Sequence, residues 1–234
     1  MSFLRPKNLI TIIICCFNHK KFLKECLNSL LKQRNYKNKF DIIFVDDKSQ
    51  DNSLKFAKKI LSNKKNCNII SNKKNIGLTR SCNKALKVVK TKYFIRVDSD
   101  DLVSKNFVYY FERELKKNPD LVYCNRIEFT KNSKKIIKNK KKNIFKMISC
   151  GVAMKTKKVL KIGGYNSLKW EEYDLYLRYL KFNSKIKNIN KNLYFYRKHK
   201  KSMSSNKVWL KEAWEELNKK YTIKFLNKFG SLKS

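Results

Sequence analysis

Acidic residues are scarce in this chain of 234: 18 Asp and Glu stand against 57 Lys and Arg, a formal net charge of +39. Proline and glycine are scarcer, with two and five copies. A Pro- or Gly-rich linker is therefore absent, and no internal repeat is visible. The expected organisation is one domain over residues 1–206, followed by a helical appendage over residues 207–234. Histidine occurs only as His19 and His199, and the seven cysteines form no C-x-x-C pair. That argues against a structural zinc site or a disulfide framework and for reduced cysteines in a cytosolic core. Long apolar runs are missing as well. The N-terminal run Leu9–Phe17 stops at Asn18-His19-Lys20-Lys21 with no small-residue cleavage site, so it reads as a buried strand and not as a leader or span.

Lysine supplies 49 of the 57 cations and is spread over every segment. Such a charge by itself suggests nucleic acid or an anionic membrane surface as a partner. Drift in base composition alone could produce lysine spread this evenly, with asparagine and isoleucine abundant too, so the charge does not decide the function. Specific nucleic-acid recognition is not expected, because arginine is rare and the lysine-dense stretch Lys131–Asn143 has no aromatic residue on which a base could stack. With 42% hydrophobic residues the chain has material for a core, which excludes a disordered basic tail.

Apolar periodicity alternates between strand and helix through the first hundred residues. Leu9–Phe17, Phe40–Val45, Asn68–Ile70 and Tyr93–Val97 read as strands. Phe22 to Leu31, Leu54 to Leu61 and Leu78 to Val89 read as helices. This is the signature of βαβ units and a parallel sheet. Further on, Asp120–Thr130 and Leu193–Tyr196 read as strands and Glu171–Phe182 as a helix. A last helix, from Lys207 to about Phe229, carries Leu210, Trp214, Leu217, Tyr221 and Phe225 on one side. That stripe, ringed by lysines, suits packing on the domain, a second copy of the chain, or an anionic membrane surface.

Five of the 18 acids lie at two strand ends, Asp46-Asp47 and Asp98, Asp100 and Asp101. In an open α/β sheet these ends face the ligand. Three carboxylates within four residues repel one another unless a cation or protons relieve them, and hard oxygen ligands suit Mg²⁺ or Mn²⁺.

Taken in order, these segments resemble the inverting glycosyltransferases of family 2, over roughly residues 8–205. Phe17-Asn18 after the first strand, with Cys15 just before, resembles the opening aromatic-Asn turn. Val45-Asp46-Asp47-Lys48-Ser49-Gln50-Asp51 is similar to V-D-D-x-S-x-D. Asn75-Ile76-Gly77 with Arg80 is similar to the N-x-G turn, and Asp98-Ser99-Asp100-Asp101 to the D-x-D metal motif. Gly163-Gly164-Tyr165 resembles the G-G-[FY] turn, Glu171-Glu172-Tyr173-Asp174-Leu175 the E-D-x-D-[LW] motif, and Tyr196-Arg197-x-His199, with Ser202 and Ser204, the closing Y-R-x-H…S.

The resemblance implies a GT-A fold, a mostly parallel Rossmann-like sheet flanked by helices, plus the C-terminal helix. It implies a nucleotide-diphospho-sugar donor, most commonly a UDP-sugar, held by Cys15, Phe17, Asn18, Asp46, Asp47, Asn75, Gly77, Arg80 and Asp98. Mn²⁺ or Mg²⁺ would sit on Asp98, Asp100, Asp101 and His199. Gly164, Tyr165, Trp170 and Asp174 would lie on the side of a glycan or lipid-linked acceptor. Glu172, with Glu171 as substitute, would be the base. Here the sequence departs from the family, which has Asp at the Glu172 position. The chain has no glycine before Gly77, unlike the Gly-rich opening of nucleotidyltransferases of the same fold. The setting implied is glycan assembly in the cytoplasm, at or near the inner membrane face. A catalytically silent protein of this fold and a polyanion-binding protein are the competing readings.

Overall fold

A computed structural model describes residues 8–34, 39–138, 143–180, 184–199 and 206–230. Ser202 and Ser204, Phe182, and the lysines at 140–142 lie outside the described residues.

The first strand, β1 (Ile10–Cys16), is buried along its whole length. Its alternate side chains serve two cores: Ile10, Ile12, Ile14 and Cys16 join one cluster, Ile13 and Cys15 the other. A strand buried on both faces is apolar at nearly every position, which explains Ile12–Ile14, and the one polar residue, Thr11, shares a hydrogen bond with Thr91 at 2.7 Å. Three crossovers follow through α1 (Lys20–Leu31), β2 (Asp41–Asp46), α2 (Ser53–Leu61), β3 (Cys67–Ser71), α3 (Leu78–Leu86) and β4 (Tyr93–Arg96). These four strands are parallel and lie in the order β3-β2-β1-β4. The chain thus moves outward from β1 to one side and returns to its other side. The carboxyl ends of β1 and β4 flank that switch point, where an open sheet leaves a crevice.

The second half of the sheet is mixed. It comprises β5 (Leu102–Val103), then, after α4 (Phe107–Leu115), β6 (Leu121–Phe129), β7 (Lys134–Ile137), β8 (Val152–Lys155) and β9 (Ile186–Arg197). Strand β8 runs antiparallel between β4 and β6, while β9 lies parallel to β6 and antiparallel to β5. The lysine-rich stretch begins as a hairpin, with β7 pairing back onto β6. Helix α5 (Thr156–Lys161) and helix α6 (Glu171–Tyr179) cover the second core with α3.

The C-terminal helix is broken. Helix α7 (Lys207–Lys220) ends at extended Tyr221, and Thr222 caps a short α8 (Ile223–Leu226) with its side chain on Phe225 N. The apolar stripe turns inward. Leu217 and Leu226 are each 1% exposed and belong to the second core cluster, against which Trp214, Tyr221 and Phe225 also pack. No helix among the described residues is long and apolar enough to cross a membrane.

Candidate active site

Two cavities open at the carboxyl ends of the strands. The first, about 360 Å³, is lined by the end of β1 (Cys15, Cys16, Phe17), by Asp47, by the Asn75–Leu78 turn, and by Asp98, Ser99 and Asp100. Tyr196 and His199 close it from the end of β9. The second, about 400 Å³, contains Glu171, Glu172 and Trp170, with Tyr173, Arg126 and, from α7, Trp209 and Leu210. Asp98 and Tyr196 line both cavities.

Asp47 builds the floor of the first cavity. Its carboxylate accepts from Ile76 N at 2.9 Å, Gly77 N at 2.8 Å and Asn72 Nδ2 at 2.8 Å, so the strand end holds the turn that starts α3. Gly77 has φ +84°, a conformation that favours glycine, and a methyl group there would meet open cavity rather than protein. Phe17 stands at the mouth, 43% exposed, an aromatic face available to a flat ligand.

The acidic cluster divides into two environments. Asp98 and Asp100 line the cavity, whereas Asp101 is buried and accepts from Tyr194 Oη and from Arg197 N, both at 2.7 Å. Burial, then the charges of Asp100 and Asp98, push Asp101 well above the usual carboxylate range. Its present role is to seat β9 behind the site. Asp100 Oδ2 lies 2.9 Å from His199 Nε2, and His199 stacks on Phe22 at 5.0 Å between ring centroids. His19, the other histidine, bonds Ser99 Oγ through Nδ1.

A divalent cation fits this wall. Asp98, Asp100 and His199 offer hard oxygen and borderline nitrogen donors to the cavity. Asp98, Asp101 and Cys150 also present ligand atoms within 4.8 Å of one another. Burial pushes the Cys150 thiol well up, and its soft sulfur suits Mg²⁺ or Mn²⁺ less than the carboxylates do.

Arg96, at the end of β4, joins the two cavities. It is 3% exposed and forks onto Asp98, Nε to Oδ1 at 2.8 Å and Nη2 to Oδ2 at 3.2 Å, while Nη1 reaches Glu171 Oε1 at 2.7 Å. Burial opposes ionisation of Asp98, but the charge and hydrogen bonds of Arg96 outweigh it and hold Asp98 below its usual value. Glu171 is therefore committed to Arg96. Glu172, one residue on, has no side-chain partner among the described residues and projects into the second cavity. Burial, then the charge of Glu171, push it up to about 8. A carboxyl with that affinity for a proton, in a cleft beside aromatic rings, is equipped to act as a base near neutral pH.

Other residues that the sequence singles out have structural places. Asp46 turns from the cavity and accepts from Ser49 N. Asn18, at φ +56°, ties two turns together by accepting from Gln50 N and donating its own N–H to Ser49 Oγ. Arg80 is exposed on α3, away from both cavities. Trp170 is the acceptor-side residue that reaches a cavity. Gly164, Tyr165 and Asp174 do not; they frame α6. A side chain at Gly164 would collide with Asn83 Oδ1, which accepts from Tyr165 N. Asp174 is fully buried and receives Arg178, Asn166, Tyr221 and Lys220. Small size and buried charge in these motifs hold a helix in place. Sequence reading passes over Arg96, whose signal is a lone cation inside the apolar strand Tyr93–Val97. A charge in a buried strand must be paired, and its nearest acid is two residues away.

These features define a domain of the GT-A fold. Residues 11–174 match Glycosyl transferase family 2, and the chain belongs to that family. It is similar to glycosyltransferase GlyG of Streptococcus pneumoniae, 25% identical over 91% of this chain and 79% of that one. The fold matches S. aureus TarS 1–349 in complex with UDP-GlcNAc, with a TM-score of 0.73 and 24% identity over 84% of this chain and 61% of that one. It also matches mannosyltransferase PcManGT of Pyrobaculum calidifontis in complex with GDP-Man and Mn²⁺, TM-score 0.70 and 12% identity over 93% and 65%. The chain spans a third or less of the length of several other curated relatives.

Proposed function

We propose that the protein transfers a sugar, with inversion, from a nucleotide-diphosphate donor in the first cavity to an acceptor hydroxyl in the second, in the assembly of a surface glycan. The observation that carries this reading is the shared wall. Asp98 and Tyr196 belong to both cavities, so a donor and an acceptor filling them meet there. Phe17 and the Asp47-braced turn suit the nucleoside, and Asp98, Asp100 and His199 would hold Mg²⁺ or Mn²⁺. When bound, that cation would neutralise the charge that builds on the departing diphosphate.

The chain's own groups supply the rest. Glu172 takes the proton of the acceptor hydroxyl as its oxygen forms a bond to the anomeric carbon. The bond from that carbon to the diphosphate oxygen breaks on the opposite face, and its electron pair leaves with the nucleoside diphosphate. Glu171 is taken up by its pairing with Arg96, and burial, then the charge of Glu171, keep Glu172 proton-hungry. The extra methylene of Glu over Asp lengthens the reach of the base without changing its chemistry. A UDP-sugar is the donor we favour, since a relative in fold binds UDP-GlcNAc, although another holds GDP-Man. Relatives in sequence that act on poly(ribitol-phosphate) support the surface-glycan setting. We place the reaction on the cytoplasmic side of the membrane.

The test is calorimetry of nucleoside diphosphates with and without Mn²⁺. The wild type binds one of them more tightly with the metal, and Asp100→Asn loses that coupling while keeping its fold. Metal-coupled affinity that survives in Asp100→Asn refutes the cation assignment, and retained anomeric configuration in the product refutes the single displacement.

A further inference from the structure

The second cavity has a wall that none of the recognised motifs supplies. Trp209 and Leu210 come from the first turns of α7, and Trp170 faces the same space from the loop before α6. This wall is built in. Asn206 caps α7 by accepting from Trp209 N at 3.1 Å. Lys169 N donates to Glu216 at 2.8 Å and Lys169 Nζ to Glu212 at 2.6 Å, which pins the Trp170 loop to the helix. Behind it Trp170 packs edge-on to Trp214 and Tyr173, at 6.2 and 5.2 Å between ring centroids.

Each cation of this cavity already has an acidic partner. Arg96 is held by Asp98 and Glu171, Arg126 and Lys198 both by Glu128, and Lys169 by Glu212. A phosphate entering here would have to compete with these carboxylates for its partner. Aromatic surface beside the Glu172 carboxyl remains on offer. A pyranose has one face of C–H groups, slightly positive and apolar, that lies well on an indole ring, and a rim of hydroxyls, one of which can meet the carboxylate.

We propose that the N-terminal turns of α7 form an acceptor subsite for a neutral pyranose ring, with Trp209 as its specificity-determining contact and the attacking hydroxyl presented to Glu172. The proposal rests on the transferase reading above and extends it by naming the acceptor's chemistry and the element that selects it.

The experiment supplies UDP-glucose, UDP-galactose, UDP-N-acetylglucosamine and GDP-mannose with Mn²⁺, and as acceptor probes the octyl glycosides of glucose, galactose and N-acetylglucosamine. Nucleoside diphosphate released and glycoside extended are measured together, which separates donor hydrolysis from transfer. The wild type should extend at least one probe. Trp209→Ala should lower the ratio of transfer to hydrolysis about tenfold, the loss expected when stacking worth about 1.4 kcal/mol is removed, and Trp209→Phe should recover most of it. An unchanged ratio in Trp209→Ala overturns the subsite. So does a loss that Phe fails to rescue, or a parallel fall of hydrolysis and transfer, since both describe a structural wall. A wild type that hydrolyses a donor but extends no probe overturns the pyranose assignment alone. A wild type inert toward every donor, with glycoside or water, overturns the transferase reading and the subsite with it.

Discussion

Asp98 and Glu171 stand on different elements, and both place carboxylates around one buried guanidinium. Removing that cation leaves two acids with no counter-charge in a dry setting. Arg96→Met should therefore destabilise the fold by about 3–5 kcal/mol, seen as a lower urea midpoint at unchanged slope. Arg96→Lys should fall between the two, because an ammonium keeps the charge and loses the fork that spans both partners. Glu172 is expected to show an opposite kind of dependence. Its ordinary value is 4.5 and in the fold it lies at about 8. Between these values the native state holds a proton that the unfolded chain has released. The stability due to that proton is complete below 4.5 and is lost as the pH rises through about 8. Glu172→Gln should flatten this decline in denaturation curves taken across that range. The same substitution should lower turnover by about two to four orders of magnitude. In the wild type, kcat/KM should climb over the interval in which stability falls, because the base must be ionised to act.

Among the elements, α7 tests whether packing or a lipid surface uses the apolar stripe. Leu217 is 1% exposed inside the second core. Leu217→Ala should cost about 2–4 kcal/mol by opening a cavity, and a chain ending at Asn206 should lose cooperative unfolding in the absence of any lipid. Both are read by thermal denaturation followed by circular dichroism. Retention of a sharp transition by the shortened chain would mean that the helix is dispensable to the core. The helix itself was legible from its spacing, as were the early strands, whose isoleucine runs admit no other use. Its break at Tyr221 was not, because the sole local sign is Thr222, a capping residue amid continuing apolar periodicity. Helix α4 was missed for a related reason. Phe107, Val108 and Phe111 are aromatic or β-branched and hide the helical spacing of Phe107, Phe111 and Leu115, which the fold buries. For the site, the acidic strand ends were visible, but their division was not. Asp98 and Asp101 look alike in sequence, and contacts from Arg96 and Tyr194, across the sheet, make one a cavity wall and the other a buried brace.

At the scale of the molecule, most of the 18 acids are engaged in ion pairs, in buried hydrogen bonds or at the site, so the excess of +39 falls on lysines with no acid to offset them. Mutual repulsion among them opposes compactness and is screened by salt. The thermal midpoint should rise from low to physiological ionic strength, and a midpoint that fell instead would show that exposed ion pairs outweigh the repulsion. The two cavities carry a further consequence through the wall they share. With Asp98 and Tyr196 belonging to both, neither substrate has a private compartment. On the proposed reaction there is no stage at which the sugar can wait on the protein while one substrate departs and the other arrives, since the base faces the acceptor and, among the described residues, the other carboxylates beside it, Asp98 and Glu171, are held by Arg96. Turnover then demands a ternary complex, and initial-rate lines drawn for varied donor at several fixed acceptor levels intersect rather than run parallel.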